Sequence, residues 1–411
     1  MANLKVALLG FGTVGSGVYE IIQSQQQRLN EILGRKVEVV AVLIQDEKKQ
    51  RTIGDKVLVT SDIQRILQFP DLDVVIEAIV GVEPGYSYLK QVLEKGCHVV
   101  TANKELFAHK GAELKALATA NQVTVSFEAS VAGGIPIIGT LNQLLQGNQI
   151  TKIEAILNGT SNYILSQIRQ KEWSFREALS AAQTAGYAEA NPSNDVDGHD
   201  TFFKIIILAE LLFRIKPDWR SIVRKGIRHI TSRDIQLAEI FGFRIKHVAT
   251  LVWNDRNVHI SVEPKVVSSE HPLYEVEGVD NALVLSGDLV GDIKLQGPGA
   301  GKFPTASAII EDLINIYKRV SGERLQNEAV LEVDRYEERS SWFVIGKTNQ
   351  PIAGQVKVEK TVQLDGTIHT VRFVKATRSE IEKITREHQS FVAYPISGSY
   401  STIIDQASVT A

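Results

Sequence analysis

The sequence predicts an α/β protein in three parts: an N-terminal doubly wound parallel sheet, an α+β domain, and a small α+β tail. Three observations predict it. Short β-branched apolar runs alternate with stretches of helical periodicity through residues 1–130, the pattern of a parallel sheet covered on both faces. A glycine turn, Gly10-Phe11-Gly12-Thr13-Val14-Gly15, stands between the first such run and the first helical stretch. Beyond residue 130 the alternation gives way to successive helices and then to successive strands, which is the α+β order.

Leu4–Leu9 is the first strand, stopped by Gly10, and residues 13–22 carry apolar positions at helical spacing. Residues 37–44, 73–79, 97–102 and 123–128 are the second to fifth strands, with helices between them at 86–95 and 110–121. Residues 136–145 read as a helix, 152–157 as a strand, 162–170 as a helix, and 175–185 as a helix closed by Gly186. The stretch 187–199 is irregular and polar. A helix from Thr201 follows it, and residues 246–295 alternate as several strands. Gly297, Gly299 and Gly301 then lead into a helix from 305 to about 319. After Gly322 and a charged run at 332–339, residues 340–411 alternate like strands. No internal repeat or low-complexity tract is evident.

The totals exclude several classes. A chain of 411 residues exceeds what one hydrophobic core serves. A net charge of -3 gives no reason to expect nucleic acid or an anionic membrane as partner. The single cysteine, Cys97, rules out an intrachain disulfide and a Cys-based zinc cluster. The start lacks the basic region and apolar core of a signal peptide, and no apolar run reaches the ~20 residues of a membrane span. A cytoplasmic protein is the expectation.

The glycine turn is G-x-G-x-x-G placed after a strand and before a helix. There the glycines permit a tight turn and let a pyrophosphate approach the helix N-terminus. The motif alone also fits a purely structural turn. In company with four further βα units it predicts a Rossmann-like domain that binds NAD or NADP through Gly10, Phe11, Gly12, Thr13, Val14 and Gly15. Asp46, after the second strand, suits a ribose hydroxyl and NAD; Lys48, Lys49 and Arg51 suit a 2′-phosphate and NADP. A merely solvated loop is the third reading, so cofactor choice stays open.

The helix from Thr201 runs Phe202, Phe203, Lys204, Ile205, Ile206, Ile207, Leu208 and Ala209, with almost no polar face. A helix apolar all round is buried. A buried ammonium is costly unless it is paired or gives up its proton. Asp200, four residues before Lys204, shares its helix face, so the two form either a structural ion pair or a tuned acid/base. Thr101-Ala102-Asn103-Lys104 falls at the carboxyl end of the fourth strand, the edge where open α/β sheets bind ligands. Lys104 there is either a surface residue opening a helix or a group facing cofactor and substrate.

Glu189, Asp195, Asp197 and Asp200 make a dense acidic stretch before Lys204, suited to a small substrate carrying an ammonium group. Asp195-Val196-Asp197-Gly198 looks like the start of a calcium loop. Its twelfth position is Ile206 rather than glutamate, which rejects that reading. Asn158-Gly159-Thr160 matches a glycosylation sequon by chance. His199 is read as structural. Cys97 opens a strand, at the edge away from the ligand side, and is read as a small buried hydrophobe.

At this point the chain resembles the homoserine dehydrogenases over about residues 3–320. The strings are GFGTVGSGV near the start, VVTANKELFAHKG from Val99, FEASVAGGIPII from Phe127, LNGTSNYIL from Leu157, GYAEANPSNDVDGHDTFFK from Gly186 and GPGAGKFPTASAIIEDL from Gly297. Six ordered strings are far more specific than one glycine motif. The resemblance implies oxidation of L-homoserine to L-aspartate 4-semialdehyde, or the reverse, with NAD or NADP. It implies that Lys204 is the acid/base, that Glu189 and Asp200 hold homoserine, and that Lys104 lies between cofactor and substrate. It adds Gly186 and Gly301 at the cofactor, and a sodium ion on Glu128 and the carbonyls of Val131, Gly133 and Ile135. It also implies a homodimer formed through the middle domain. The domains expected are therefore 1–130, completed by about 297–320, for cofactor; 131–296 for substrate, catalysis and dimerisation; and 340–411 as a degenerate ACT-like regulatory tail.

The sequence departs from the family pattern at Asn191, where aspartate is usual, and at Gln45, where an arginine often stands. Residues 351–358 read as a strand where the ACT fold needs a helix, so threonine sensing is not expected of the tail. A base must accept the alcohol's proton as hydride leaves. An ordinary lysine, with pKa near 10.4, becomes one when burial and a second ammonium favour its neutral form. Burial and Lys104 are expected to outweigh Asp200 at Lys204. Two other readings compete. Phosphorylating aldehyde dehydrogenation needs a thiol in the cleft, and Cys97 is at the wrong edge. A non-catalytic dinucleotide sensor on the same fold would bind cofactor without turnover.

Overall fold

The computed structural model describes residues 2–48, 50–213, 218–253, 257–318, 332–333, 339–347, 356–363 and 369–400. The elements run β1 (Leu4–Leu9), α1 (Thr13–Ser24), α2 (Gln26–Leu33), β2 (Val37–Leu43), β3 (Leu58–Thr60), α3 (Ile63–Leu67), β4 (Val74–Glu77), α4 (Gly85–Glu94), β5 (His98–Thr101), α5 (Lys104–Ala120) and β6 (Val125–Ser126). Next come α6 (Ile137–Gly139), β7 (Ile150–Ile156), α7 (Gly159–Lys171), α8 (Phe175–Thr184), α9 (Ser193–Val196), α10 (His199–Phe213), β8 (Val223–Arg224) and α11 (Ser232–Ile240). The remainder is β9 (Phe243–Trp253), β10 (Asn257–Ser268), β11 (Asp280–Gly287), β12 (Gly291–Pro298), α12 (Lys302–Lys318), β13 (Glu332–Val333), β14 (Ser340–Lys347), β15 (Lys357–Gln363), β16 (His369–Ala376), α13 (Arg378–Glu387) and β17 (Val392–Ser397).

The chain forms two compact units. One comprises Met1–Gln149, Phe203–Arg214 and Leu295–Glu328; the other comprises Ile150–Phe202, Ile215–Lys294 and Ala329–Ala411. The first holds a six-stranded sheet in the order β3-β2-β1-β4-β5-β6, with every pairing parallel. β1 explains its own place at the centre. Leu4, Val6, Ala7, Leu8 and Leu9 are all buried, the near-continuous apolar run of a strand covered on both faces. Val18 and Ile22 of α1 and Ile309 and Leu313 of α12 share its core cluster. Strand order reverses between β1 and β4, and the crevice at the carboxyl ends of those two strands is where such sheets take ligands.

Two expected elements of this unit are corrected. The strand expected over 123–128 shrinks to Val125–Ser126, and Glu128–Ser130 is a 3₁₀ turn. β6 is an edge strand with β5 as its neighbour, and Glu128 turns away because its carboxylate accepts backbone N–H groups from Ile138 and Gly139 at 2.8 and 2.7 Å. The helix expected over 136–145 is α6 followed by a wider π-type turn, Thr140–Leu144.

The second unit is built on an eleven-stranded sheet with the nine-strand path β12-β11-β7-β9-β10-β17-β14-β16-β15, β8 and β13 each pairing with β10 off it. Within the tail, β14 pairs antiparallel with β16 and with β17, and β15 pairs antiparallel with β16. Numbered in chain order, the four strands lie 4-1-3-2, a ferredoxin-like arrangement. Of the strand expected over 351–358, residues 351–355 lie outside the described residues, as do 334–338 of the charged run and Lys49 of the basic loop. No helix among the described residues is long and apolar enough to cross a membrane.

Candidate active site

The glycine turn closes directly on the sheet. Gly10 has φ +98, and a Cβ there would fall 2.7 Å from the Ala78 carbonyl oxygen at the end of β4. A Cβ on Gly15 would fall 2.1 Å from the Gly10 carbonyl oxygen, so this turn of α1 excludes any side chain. At Gly12 a Cβ would meet nothing within 4 Å. Gly12 is also the N-cap of α1, with no side-chain cap and no acid in the first turn. Open space before uncapped N–H groups at a helix N-terminus fits a pyrophosphate. Phe11 packs edge-on against Tyr19, at 5.7 Å between centroids, while Thr13 is exposed and Val14 half-buried. Asp46 accepts the Lys48 N–H at 2.9 Å, and Arg51 donates to the Asp46 carbonyl at 2.7 Å. Gly301, with φ +119, precedes α12.

The neighbouring strand ends carry a second cluster. Glu77, the last residue of β4, is fully buried. It accepts from the Thr101 hydroxyl at 2.5 Å and from the Ile79 N–H at 2.6 Å. Burial pushes its carboxyl up to about 7 against those hydrogen bonds. Asn103 reaches Glu77 at 3.4 Å and the Gly81 carbonyl at 2.7 Å through its amide nitrogen. Its amide oxygen accepts the Leu106 N–H at 3.0 Å, which caps α5. Lys104 is the first residue of that helix, which starts six residues before the stretch expected at 110–121, and is half-buried.

Helix α10 carries Lys204, buried as expected. Within the first unit α10 packs on α5 through Lys115–Glu210 at 3.2 Å and His109–Phe203 at 5.8 Å between ring centroids. The helices that bear the two lysines are thus in contact. Asp200 lies one turn before Lys204 on α10 and is also buried.

In the second unit Asn158 gathers the acids. Its amide nitrogen donates to Asp195 at 2.8 Å and to Asp200 at 2.9 Å. Its amide oxygen caps α7 by accepting the Ser161 N–H at 2.8 Å. Glu189 is not in this cluster: its side chain is exposed, and its carbonyl accepts from Gln183 at 3.1 Å. Asp197 turns instead to Arg228, whose guanidinium holds that carboxyl below its usual range. His199 meets Arg224, a partner not visible in sequence. Gly186 has φ +76 and follows the C-cap of α8.

Two family models match the chain. One is described as homoserine dehydrogenase, over residues 136–314, and the other as the homoserine dehydrogenase NAD-binding domain, over residues 10–128. The homoserine dehydrogenase of Bacillus subtilis is 41% identical over 321 residues, covering 78% of this chain and 74% of its own length. The chain belongs to the homoserine dehydrogenase family. A homoserine dehydrogenase crystal structure from Thiobacillus denitrificans superposes with a TM-score of 0.89 at 29% identity, covering 96% of this chain and 98% of that one. A hyperthermophilic archaeal homoserine dehydrogenase in complex with NADPH superposes at 0.68 with 29% identity, covering 79% and 100%.

Homoserine dehydrogenases interconvert L-homoserine and L-aspartate 4-semialdehyde with NAD(P), a step of amino-acid biosynthesis. The chain is accordingly an NAD(P)-dependent oxidoreductase, and nothing favours the non-catalytic sensor. The thiol mechanism fails on chemistry too. Cys97 is buried, donates to the Leu72 carbonyl, and has its thiol pushed up to about 11 by burial. Sequence reasoning gave Asn158, Glu77 and Asn103 no role in the candidate site. Each stands at or just after the carboxyl end of a strand, and that position was the available signal.

Proposed function

We propose that Lys204 is the acid/base of homoserine oxidation, that Asp200 with Asp195 holds the substrate ammonium, and that Glu189, outside that pair, also binds homoserine. The observation that carries this reading is the placement of Asp200 and Lys204 on one helix, one turn apart and both buried. Side chains at i and i+4 stand ~5–6 Å apart at Cβ. The amine and hydroxyl of homoserine, joined through three carbons, span about 5 Å by standard bond lengths. A carboxylate on the ammonium therefore brings the hydroxyl to the lysine. Lys204 takes the hydroxyl proton in oxidation and returns it to the aldehyde oxygen in reduction. The nicotinamide, when bound, accepts or supplies the hydride. Lys104, opening α5 beside the glycine-turn edge, adds positive charge where the alkoxide develops.

The same reading assigns cofactor binding to Gly10 through Gly15, with Gly186 and Gly301. It assigns a sodium ion to Glu128 and the carbonyls of Val131, Gly133 and Ile135. Support for the ion is the chemistry of that set. All its donors are oxygen, as a hard cation requires. The Glu128 carboxyl is buried beside the Asp312 carboxyl, and among the described residues no basic side chain pairs with either. Such an ion would offset that charge and brace the turn. A homodimer and an ACT-like tail complete the reading, the latter supported by the 4-1-3-2 strand order.

The test is the initial rate of homoserine oxidation with NAD and with NADP, each in sodium and in potassium buffer. Turnover is expected, and the ratio of rates decides between Asp46 and Arg51 as the cofactor reader. Cofactor binding without turnover would sink the assignment.

A further inference from the structure

We propose that Asn158 is a positioning residue for the substrate: its amide nitrogen sets the Asp195 and Asp200 carboxylates where they receive the ammonium group. The proposal rests on the reading that those two aspartates hold homoserine.

The geometry is specific. Asp195 and Asp200 lie 37 and 42 residues from Asn158 in sequence, yet one carboxylate oxygen of each lies within 2.9 Å of the same nitrogen. A primary amide carries two N–H donors that diverge in a plane, and here each goes to a different acid. The orientation of the amide is not arbitrary. Its oxygen accepts the Ser161 N–H, so the nitrogen has to face the acids. The side chain is buried. The next residue, Gly159, has no room for a Cβ, which would fall 2.6 Å from the Val279 carbonyl oxygen. That contact pins the backbone from which Asn158 extends. Ser161 adds a second hold on Asp195 by donating its hydroxyl to the Asp195 carbonyl at 3.0 Å.

The consequence follows from charge. Two carboxylates converging on one small volume repel, and one of them gains a proton unless donors stabilise both. A protonated carboxyl is a poorer acceptor for an ammonium. The Asn158 amide supplies a donor to each acid while adding no charge. It thus keeps both as acceptors and fixes the angle between them. Amide N–H groups cannot bond an ammonium, and the Asn158 oxygen is turned to the Ser161 N–H, so its effect on substrate passes through the aspartates.

Three variants test this in the full-length protein: Asn158→Ser, Asp195→Asn and Asp200→Asn. Serine keeps the helix cap and loses both amide N–H donors, its single, shorter hydroxyl being unable to serve two acids, so folding is preserved and the thermal midpoint stays near that of the parent. The expected result is a homoserine KM raised about ten-fold or more in Asn158→Ser. The cofactor KM should be unchanged and kcat affected far less. The rise should be smaller when Asn158→Ser is added to Asp195→Asn, since the effects share a partner. A parental homoserine KM in Asn158→Ser, with raised KM in the aspartate variants, overturns the proposal and leaves the substrate reading intact. A parental KM in both aspartate variants overturns the substrate reading, and this proposal with it.

Discussion

The Thr101 hydroxyl donates to the Glu77 carboxylate at 2.5 Å, across the register pair that ends β4 and β5. Neither residue is exposed. With Asn103 bridging Glu77 to the Gly81 carbonyl and capping α5, this buried pair ties both strand ends to the first residue of the Lys104 helix. Burial holds the Glu77 carboxyl near 7. Between about pH 4.5 and 7 the unfolded chain gives up this proton and the folded chain keeps it. Stability therefore falls as pH rises through that window and levels off above it. The shift corresponds to about 3 kcal/mol. Glu77→Gln should lose that part of the slope. Glu128, shifted the same way, should keep its own. Urea midpoints at pH 5 and pH 8 check this; an unaltered slope would remove Glu77 from the account.

Lys204→Ala should bind NAD(P) as the parent does and lose turnover by a factor on the order of a hundred or more, the usual share of a general acid/base. Stopped-flow single turnovers separate that chemistry from product release. Unchanged turnover would exclude Lys204.

Gly12 and Gly15 separate the cofactor's needs from those of the fold. A methyl at Gly12 meets no protein atom within 4 Å, so Gly12→Ala should leave the melting temperature unchanged and weaken cofactor binding. At Gly15 the methyl strikes the Gly10 carbonyl oxygen. Gly15→Ala should therefore weaken binding and also destabilise the protein by about 1–3 kcal/mol. Nicotinamide fluorescence titration and thermal melts on both variants would show the contrast or its absence.

Arg378 of α13 pairs with Glu263 of β10 through both carboxylate oxygens, one of them at 2.9 Å, and Glu263 is buried. Burial alone would raise the Glu263 carboxyl; Arg378 and more distant lysines bring it below its usual value. Such a group stabilises the fold above its unfolded pKa, and that contribution is lost as pH falls through the folded value. Arg378→Ala leaves a buried charge unpaired and should cost about 3–5 kcal/mol at neutral pH, less at pH 4. A denaturant midpoint unmoved at pH 7 would contradict this.

Much of the first unit was legible because its signals are local. β1 reads as a buried strand from its own side chains, and Gly15 answers a steric demand set five residues earlier by the Gly10 carbonyl. The strand expected at 123–128 was overread for the opposite reason. Its alternation is local, but Glu128 leaves the sheet to meet N–H groups ten and eleven residues later.

Sequence by itself determined the α/β class, the place of the glycine turn, the burial of Lys204 and its one-turn distance from Asp200. Each follows from periodicity or sterics within a few residues. Only the tertiary structure decided which polar groups meet. Asn158 reads as a chance sequon until folding brings Asp195 and Asp200 to its nitrogen. Glu77 reads as one more residue of the strand at 73–79 until Thr101 closes over it. Hydrogen bonds of this kind join residues tens of positions apart. They depend on direction as well as separation, and neither is written in local pattern.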